Sequence, residues 1–275
     1  MNWGREVVKN SKRIVVKVGT STLTYDNGKI NLKTIDKLAM VLSDLRNQGK
    51  EVVLVSSGSI GVGCSKLNLE ERPNTIREKQ AVASVGQCEL MHIYSKLFGE
   101  YGNIVGQVLL TRDVVEDDHI RNNVINTFET LLEKGIIPIV NENDTVSIDE
   151  IENICNFGDN DNLSAVVAKL VNGDLLVILS DIDGFYDSDP RHNEDSRMIK
   201  EIYKITEELE EFAGGAGTLQ GTGGMKTKLA AAKVALDAGV SMILTNGKDP
   251  EILFEILDGQ EVGTLFINKR GQNNE

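Results

Sequence analysis

Ile14-Val15-Val16-Lys17-Val18-Gly19-Thr20-Ser21 is a β-branched run that stops on a glycine and two hydroxyls. Such a run favours a buried strand, with the glycine closing it. Downstream, Leu32, Ile35, Leu38, Leu42 and Leu45 recur at helical spacing, and Gly49 stands where that helix should end. A second β-branched run follows at 51–56. Strand, helix, strand in this order is the unit of a parallel sheet.

The alternation continues along the chain. Strands are expected at 14–18, 51–56, 104–109, 136–140, 175–179, 240–244 and 264–267. Helices are expected at 75–98, 118–134, 161–171, 206–212, 229–238 and 249–257. The fold class this predicts is α/β, a three-layer α/β/α sandwich around a mainly parallel central sheet. Ligands of such sheets sit at the carboxyl ends of the strands. Two stretches break the rhythm: polar residues 145–160, expected to form a hairpin or flap, and the Asp-, Ser-, Asn- and Arg-rich loop at 182–200.

With 275 residues, 40% apolar and 26% charged, the chain suits one large domain or two closely packed lobes. No apolar run approaches the roughly 18 residues of a membrane helix. The first residues lack the apolar stretch of a signal peptide. Cys64, Cys88 and Cys155 form no CxxC and cannot all pair, which suits a reducing cytoplasm. A formal net charge of −13 disfavours nucleic acid as a partner. It leaves small anionic ligands open, because a surface field is screened over about 10 Å. His92, His119 and His192 have no metal-ligand spacing.

Gly221-Thr222-Gly223-Gly224-Met225-Lys226-Thr227-Lys228 is a glycine-rich loop running into a helix. Glycines let backbone N–H groups close on an anion, and a helix start adds unpaired donors. The chain contains neither a P-loop nor a G-x-G-x-x-G fingerprint. Lys17 lies inside an apolar strand, which is costly unless its ammonium finds a partner; the alternative is an edge strand in solvent. Ser56-Ser57-Gly58-Ser59-Ile60-Gly61-Val62-Gly63 follows the second strand and reads as a capped turn or an anion-binding loop. Asn141-Glu142-Asn143-Asp144 follows another strand as a capped turn or a pocket wall.

Gly158-Asp159-Asn160-Asp161-Asn162 precedes a helix, and capping accounts for only one of its carboxylates and amides. A calcium loop would need a downstream Glu that is missing. Ser180-Asp181-Ile182-Asp183-Gly184-Phe185-Tyr186, with Asp189-Pro190-Arg191 beyond it, is a surface turn or a nucleotide-binding edge. No Ser-His-Asp set, glutamate pair or zinc spacing is present. Two lysines, several hydroxyls and glycines, and a few carboxylates at one sheet edge fit phosphoryl transfer.

In this order the motifs resemble the amino acid kinase family, most closely its members that phosphorylate glutamate. The resemblance runs from residue 15 to about 266, and Leu109-Leu110-Thr111-Arg112 and Ala83-Ser84-Val85-Gly86-Gln87 add to it. It implies ATP-dependent phosphorylation of the γ-carboxylate of L-glutamate to glutamyl 5-phosphate, the first step toward proline. Lys17 and Lys228 would stabilise the phosphoryl group in flight, and Asp161 would hold both lysines. Ser57, Gly58, Asn141, Asp144 and Asn160 would bind glutamate, with Asp144 answering its ammonium and Ser57 and Asn160 its carboxylates. Lys17, Gly19, Ser180, Asp181, Thr222, Gly223, Gly224, Met225, Lys226, Thr227 and Lys228 would bind the nucleotide. Mg²⁺ would arrive with ATP, without a protein metal site.

The same resemblance implies a cytoplasmic homo-oligomer, dimer or tetramer, with proline as a possible feedback inhibitor and glutamyl phosphate reductase as a possible partner. Nucleic acid and membrane are not expected partners. Residues 1–275 are expected to form a single kinase domain. Its glutamate-binding lobe would span about 1–172 and its ATP-binding lobe about 173–268, with a polar tail at 269–275. The RNA-binding-like PUA domain that many relatives carry does not fit here. Ser180 stands where threonine is frequent, and the segment after Asp144, 145–157, is longer than usual. The alternatives are a sister kinase of the acetylglutamate or aspartate type, and a non-catalytic amino-acid or nucleotide sensor on the same fold.

Overall fold

The structure, a computed structural model, describes residues 3–25, 27–146, 160–188, 193, 195–215 and 224–268. Its strands are β1 (Arg13–Val18), β2 (Glu51–Ser56), β3 (Val105–Leu110), β4 (Ile137–Glu142), β5 (Leu175–Ser180), β6 (Glu201–Ile202), β7 (Ser241–Asn246) and β8 (Thr264–Phe266). They form one sheet in the order β3-β4-β2-β1-β5-β7-β8-β6. Every pairing from β3 across to β7 is parallel. Only β8 turns antiparallel against β7, and β6 then runs parallel to β8. The expected mainly parallel sheet is therefore present, with a reversed margin.

β5 is buried at all of its positions and β1 at all but its first. Strands covered on both faces read as continuous apolar runs rather than alternations. The two faces still divide by parity along β1. Val15 belongs to the core beneath helices Asp118–Glu133, Asn160–Leu170 and Met225–Asp237. Ile14, Val16 and Val18 belong to the opposite core, beneath helices Leu32–Asn47, Ile76–Glu100 and Ile252–Leu257. The period of two puts Lys17 on the Val15 face. That face carries helix Asn160–Leu170, and its acidic first turn is where Lys17 finds its partner.

β1 pairs with β2 on one side and β5 on the other, so the edge-strand alternative for Lys17 is excluded. Helix Ile76–Glu100 starts on a capping box: Thr75 Oγ1 accepts from Glu78 N at 3.3 Å, and Glu78 accepts from Thr75 N at 3.2 Å. Helices Trp3–Lys9, Thr20–Leu23, Ser59–Leu67 and Asp113–Glu116 and strand β6 add to the sequence-based expectation. All but one are too short for periodicity to reveal, and Ser59–Leu67 carries glycines that mask it. The helix expected at 229–238 begins earlier, at Met225, and the one expected at 249–257 begins later, at Ile252.

The N-terminal helix is tied to the far side of the sheet. Arg5, fully buried, donates to the carbonyls of Val262 at 2.9 Å and Gly263 at 3.4 Å. The loop after β5 is fastened by Thr264, whose hydroxyl accepts from Phe185 N at 2.8 Å and donates to Ile199 O at 2.6 Å. The body of the expected flap, 147–159, and the tail 269–275 lie outside the described residues. Among the described residues no helix is long and apolar enough to cross a membrane. Cys64 and Cys88 are free thiols.

Candidate active site

Asp161, in the first turn of helix Asn160–Leu170, is the centre of the site. Lys17 Nζ lies 2.5 Å from one of its carboxylate oxygens and Lys228 Nζ 3.1 Å from the other. Asp161 is 0% exposed, Lys17 8% and Lys228 5%. Burial alone would push the Asp161 carboxyl up, but the charges and hydrogen bonds of the two ammonium groups outweigh it and hold the carboxyl below its ordinary range. One carboxylate thus faces two cations. Two helix N-termini, at Asn160 and Met225, add their dipoles. Such a site favours a multiply charged anion.

The parallel strands β1, β2, β4 and β5 deliver their carboxyl ends to one edge. There Ser57 N donates to Val18 O at 3.1 Å, tying the turn after β2 to β1. Gly58 has φ 98, a left-handed conformation that side chains resist, and it caps helix Ser59–Leu67. Ser59 Oγ donates to Asp144 Oδ2 at 2.7 Å, fixing that carboxylate after β4. Helix Ile76–Glu100 presses on this turn through Gly86: a Cβ there would lie 1.7 Å from the Ser59 carbonyl oxygen.

A row of amides runs behind the turn. Asn160 Nδ2 donates to Ser56 O at 3.2 Å and to Asn141 Oδ1 at 3.0 Å. Asn141 Oδ1 also accepts from Glu142 N at 2.9 Å, while its Nδ2 donates to Gln87 Oε1 at 2.9 Å. Both hydrogens of Asn160 are therefore committed, and what this side chain offers a ligand is an acceptor oxygen. That differs from the expected role of binding a substrate carboxylate and suits an ammonium group.

The structure thus joins Lys17, Asp161 and Lys228, and links Asn141 to Asn160. Gly19, whose φ of −86 is unstrained, caps helix Thr20–Leu23 beside Lys17. Ser180, at the end of β5, donates to Asp181 Oδ1 at 3.0 Å, so these two bond to each other rather than to the lysines. Gly224 caps helix Met225–Asp237, and Thr227 Oγ1 donates to its carbonyl at 2.8 Å. Met225 is half-buried, and Lys226 diverges from Lys228 into an exposed cleft with Ala213, Leu229 and Lys233. Gly158, Asp159, Gly221, Thr222 and Gly223 lie outside the described residues. Ser59 and Gln87 lie within the quoted motifs 56–63 and 83–87, but the residue patterns gave neither a role in the site. A glycine inside a long helix, Gly86, was the available signal, because it weakens a helix unless another chain approaches it closely.

The chain belongs to the amino acid kinase family, whose signature matches residues 12–246. It is 70% identical to the glutamate 5-kinase of Clostridium perfringens over 268 residues, covering 98% of this chain and 100% of that one. It is 66% identical to the glutamate 5-kinase of Listeria innocua, covering 97% of this chain and 96% of that one. Among solved structures it resembles UMP kinase from Bacillus anthracis, with a TM-score of 0.62 and 18% identity over 94% of this chain and 97% of that one. It also resembles isopentenyl phosphate kinase from T. acidophilum, with a TM-score of 0.60 and 17% identity over 92% of this chain and 99% of that one. At these identities the last two bear on the fold alone.

Proposed function

We propose that this protein transfers the γ-phosphoryl group of ATP to the γ-carboxylate of L-glutamate, giving L-glutamyl 5-phosphate and ADP for proline biosynthesis. The observation that carries this is the buried pair Lys17 and Lys228 on one carboxylate. The names of its close relatives point the same way.

A carboxylate is already ionised at neutral pH, so the reaction needs no general base. One carboxylate oxygen attacks the γ-phosphorus in line, and the bond to the β–γ bridging oxygen breaks, its electrons leaving with ADP. Charge on the transferred group is spread over its equatorial oxygens, where Lys17 and Lys228 can meet it. Asp161 positions both ammonium groups and prevents their mutual repulsion from parting them. Its two oxygens are occupied by those ammonium groups, and among the described residues no three His, Cys, Asp or Glu side chains form a metal-binding group. Mg²⁺ arriving with ATP would be held chiefly by the nucleotide's phosphates, whose charge it would neutralise.

The acceptor half of the site falls to residues 1–172: Ser57 and Gly58 at the turn for a carboxylate, Asp144 and Asn160 for the ammonium, Asn141 behind them. The nucleotide half falls to 173–268, with Ser180, Asp181 and residues 222–228, together with Gly19. Two acceptors, Asp144 and Asn160, support a free amino group and disfavour an acetylated one. Hydroxylamine trapping of the acyl phosphate, with ATP and glutamate, acetylglutamate or aspartate, tests the assignment. Hydroxamate from glutamate alone is the expected result; hydroxamate from another acid, or from none, sinks it. Cytoplasmic location, a homo-oligomer, proline feedback and transfer of product to a reductase belong to the same proposal, supported by family resemblance. Solution mass and a proline titration test the second and third.

A further inference from the structure

β1 runs into Gly19, yet neither backbone nor packing demands a glycine there. Its φ of −86 and ψ of 164 are ordinary extended values. Apart from its chain neighbours, a Cβ at Gly19 would meet only two atoms within 4 Å among the described residues: Lys17 Nζ at 3.7 Å and Ser21 Oγ at 3.8 Å. Both are ordinary contact distances, so a methyl would fit. A space therefore stays open over the Gly19 Cα, with an ammonium on one side and a hydroxyl on the other. Lys17 carries three donors, and its ion pair with Asp161 does not use them all. Ser21 is exposed, and its hydroxyl has no hydrogen-bond partner among the described residues. Thr20 faces elsewhere: its methyl lies 3.1 Å from where a Cβ at Gly61 would stand, and its hydroxyl 3.9 Å from that of Gly58 in the acceptor turn.

We propose that the space over Gly19 seats the γ-phosphoryl group of the nucleotide, and that Ser21 is a further catalytic residue, its hydroxyl donating to one phosphoryl oxygen while Lys17 meets another. A phosphoryl group directs its oxygens to different sides, so it can accept from donors that flank it, and hydrogen bonds to a charged acceptor are the strong ones. Ser21 keeps its proton throughout. As the group passes from ADP to the acceptor carboxylate, its charge spreads over the equatorial oxygens, where a donor already in place stabilises it. The glycine is then required by the ligand rather than by the fold, because a methyl at position 19 would occupy the seat. The proposal rests on the ATP-dependent function above, and within it Ser21 answers the nucleotide rather than the glutamate.

Calorimetric titration with ATP and with ADP, each with Mg²⁺ and without glutamate, tests the seat. ADP lacks the γ-phosphoryl group, so the ratio of Kd for ADP to Kd for ATP reports that group alone. In Ser21→Ala the ratio should fall on the order of tenfold, and kcat with glutamate by a similar factor, while KM for glutamate changes little. Ser21→Thr keeps the hydroxyl and should hold the ratio within about threefold of wild type. Gly19→Ala should lower the ratio at least as far as Ser21→Ala, with a urea midpoint no lower than wild type, since its φ suits alanine. A general loss of structure would instead weaken both nucleotides together and lower the midpoint. An unchanged ratio in Ser21→Ala, or an equal fall in Ser21→Thr, overturns the role of Ser21; an unchanged ratio in Gly19→Ala overturns the seat. A rise in KM for glutamate alone moves Ser21 to the acceptor side and also overturns it. If wild type binds ATP but makes no hydroxamate from glutamate, the function above is wrong, and the nucleotide ratios still decide the seat. If it binds neither nucleotide, both fail.

Discussion

Lys17 and Lys228, from the first strand and a helix near the other end of the chain, place their ammonium groups on opposite oxygens of the Asp161 carboxylate, at 2.5 and 3.1 Å. Neither could be buried alone without a heavy desolvation penalty. Sharing one counter-ion offsets that penalty for both, and two cations on one carboxylate suit a negatively charged transferred group.

Replacing either lysine removes a donor that meets charge developing in the transition state. Lys17→Ala and Lys228→Ala should each lower kcat about 10²–10³-fold while the protein remains folded. Hydroxamate formation measures the rate, and circular dichroism the fold. Near-normal turnover in both variants rules out the assigned roles.

Asp161→Asn tests the same triad through stability. Loss of the carboxylate strands two buried ammonium groups and should cost about 3–5 kcal/mol at pH 7. In the folded protein the Asp161 carboxyl sits below its ordinary value of 3.8, so its contribution is whole above that value and is lost as pH falls through the folded value. Urea unfolding of the two proteins should therefore show a gap at pH 7 that closes on acidification below 3.8. A gap independent of pH contradicts the ion triad.

Ser59→Ala removes the hydroxyl that donates to Asp144 at 2.7 Å. The carboxylate is then less firmly placed for the substrate ammonium. KM for glutamate should rise on the order of tenfold, with KM for ATP little changed. Equal effects on both substrates would remove Ser59 from the acceptor side.

Two glycines of helix Ile76–Glu100 should respond oppositely to alanine. At Gly86 the new methyl meets the Ser59 carbonyl at 1.7 Å, whereas at Gly99 nothing lies within 4 Å. Gly86→Ala should destabilise by about 1–3 kcal/mol or more. Gly99→Ala should stabilise by about 0.5–1 kcal/mol through helix propensity. Denaturant midpoints of the two variants against wild type decide this.

Much of the scaffold was legible because buried parallel strands announce themselves: the runs around Val16, Val53, Ile139 and Val177 have few other uses. Lys17 stood out for the same reason, a charge where the pattern demanded an apolar side chain. What stayed hidden is short or non-local. β6, at Glu201–Ile202, is too brief for any period, and the antiparallel turn of β8 depends on packing rather than on residue type. Helix Ser59–Leu67 is obscured by Gly61 and Gly63, which serve contacts with Thr20 and Val82. Ser59 and Gln87 resemble ordinary polar helix residues until the fold brings Asp144 and Asn141 against them. Asn160 lies in a polar run that draws notice by itself, yet the polarity of its amide is set by Ser56 and Asn141, which only the fold brings together.

The capture of Val262 and Gly263 by Arg5 bears on how the chain is made. During synthesis the first helix emerges long before β8, the latest of these strands, so its guanidinium has no carbonyls to meet until nearly the whole domain has left the ribosome. The two bonds that fasten this helix at Arg5 therefore join the first and last parts of the described chain and can form only after residues 262 and 263 have been made.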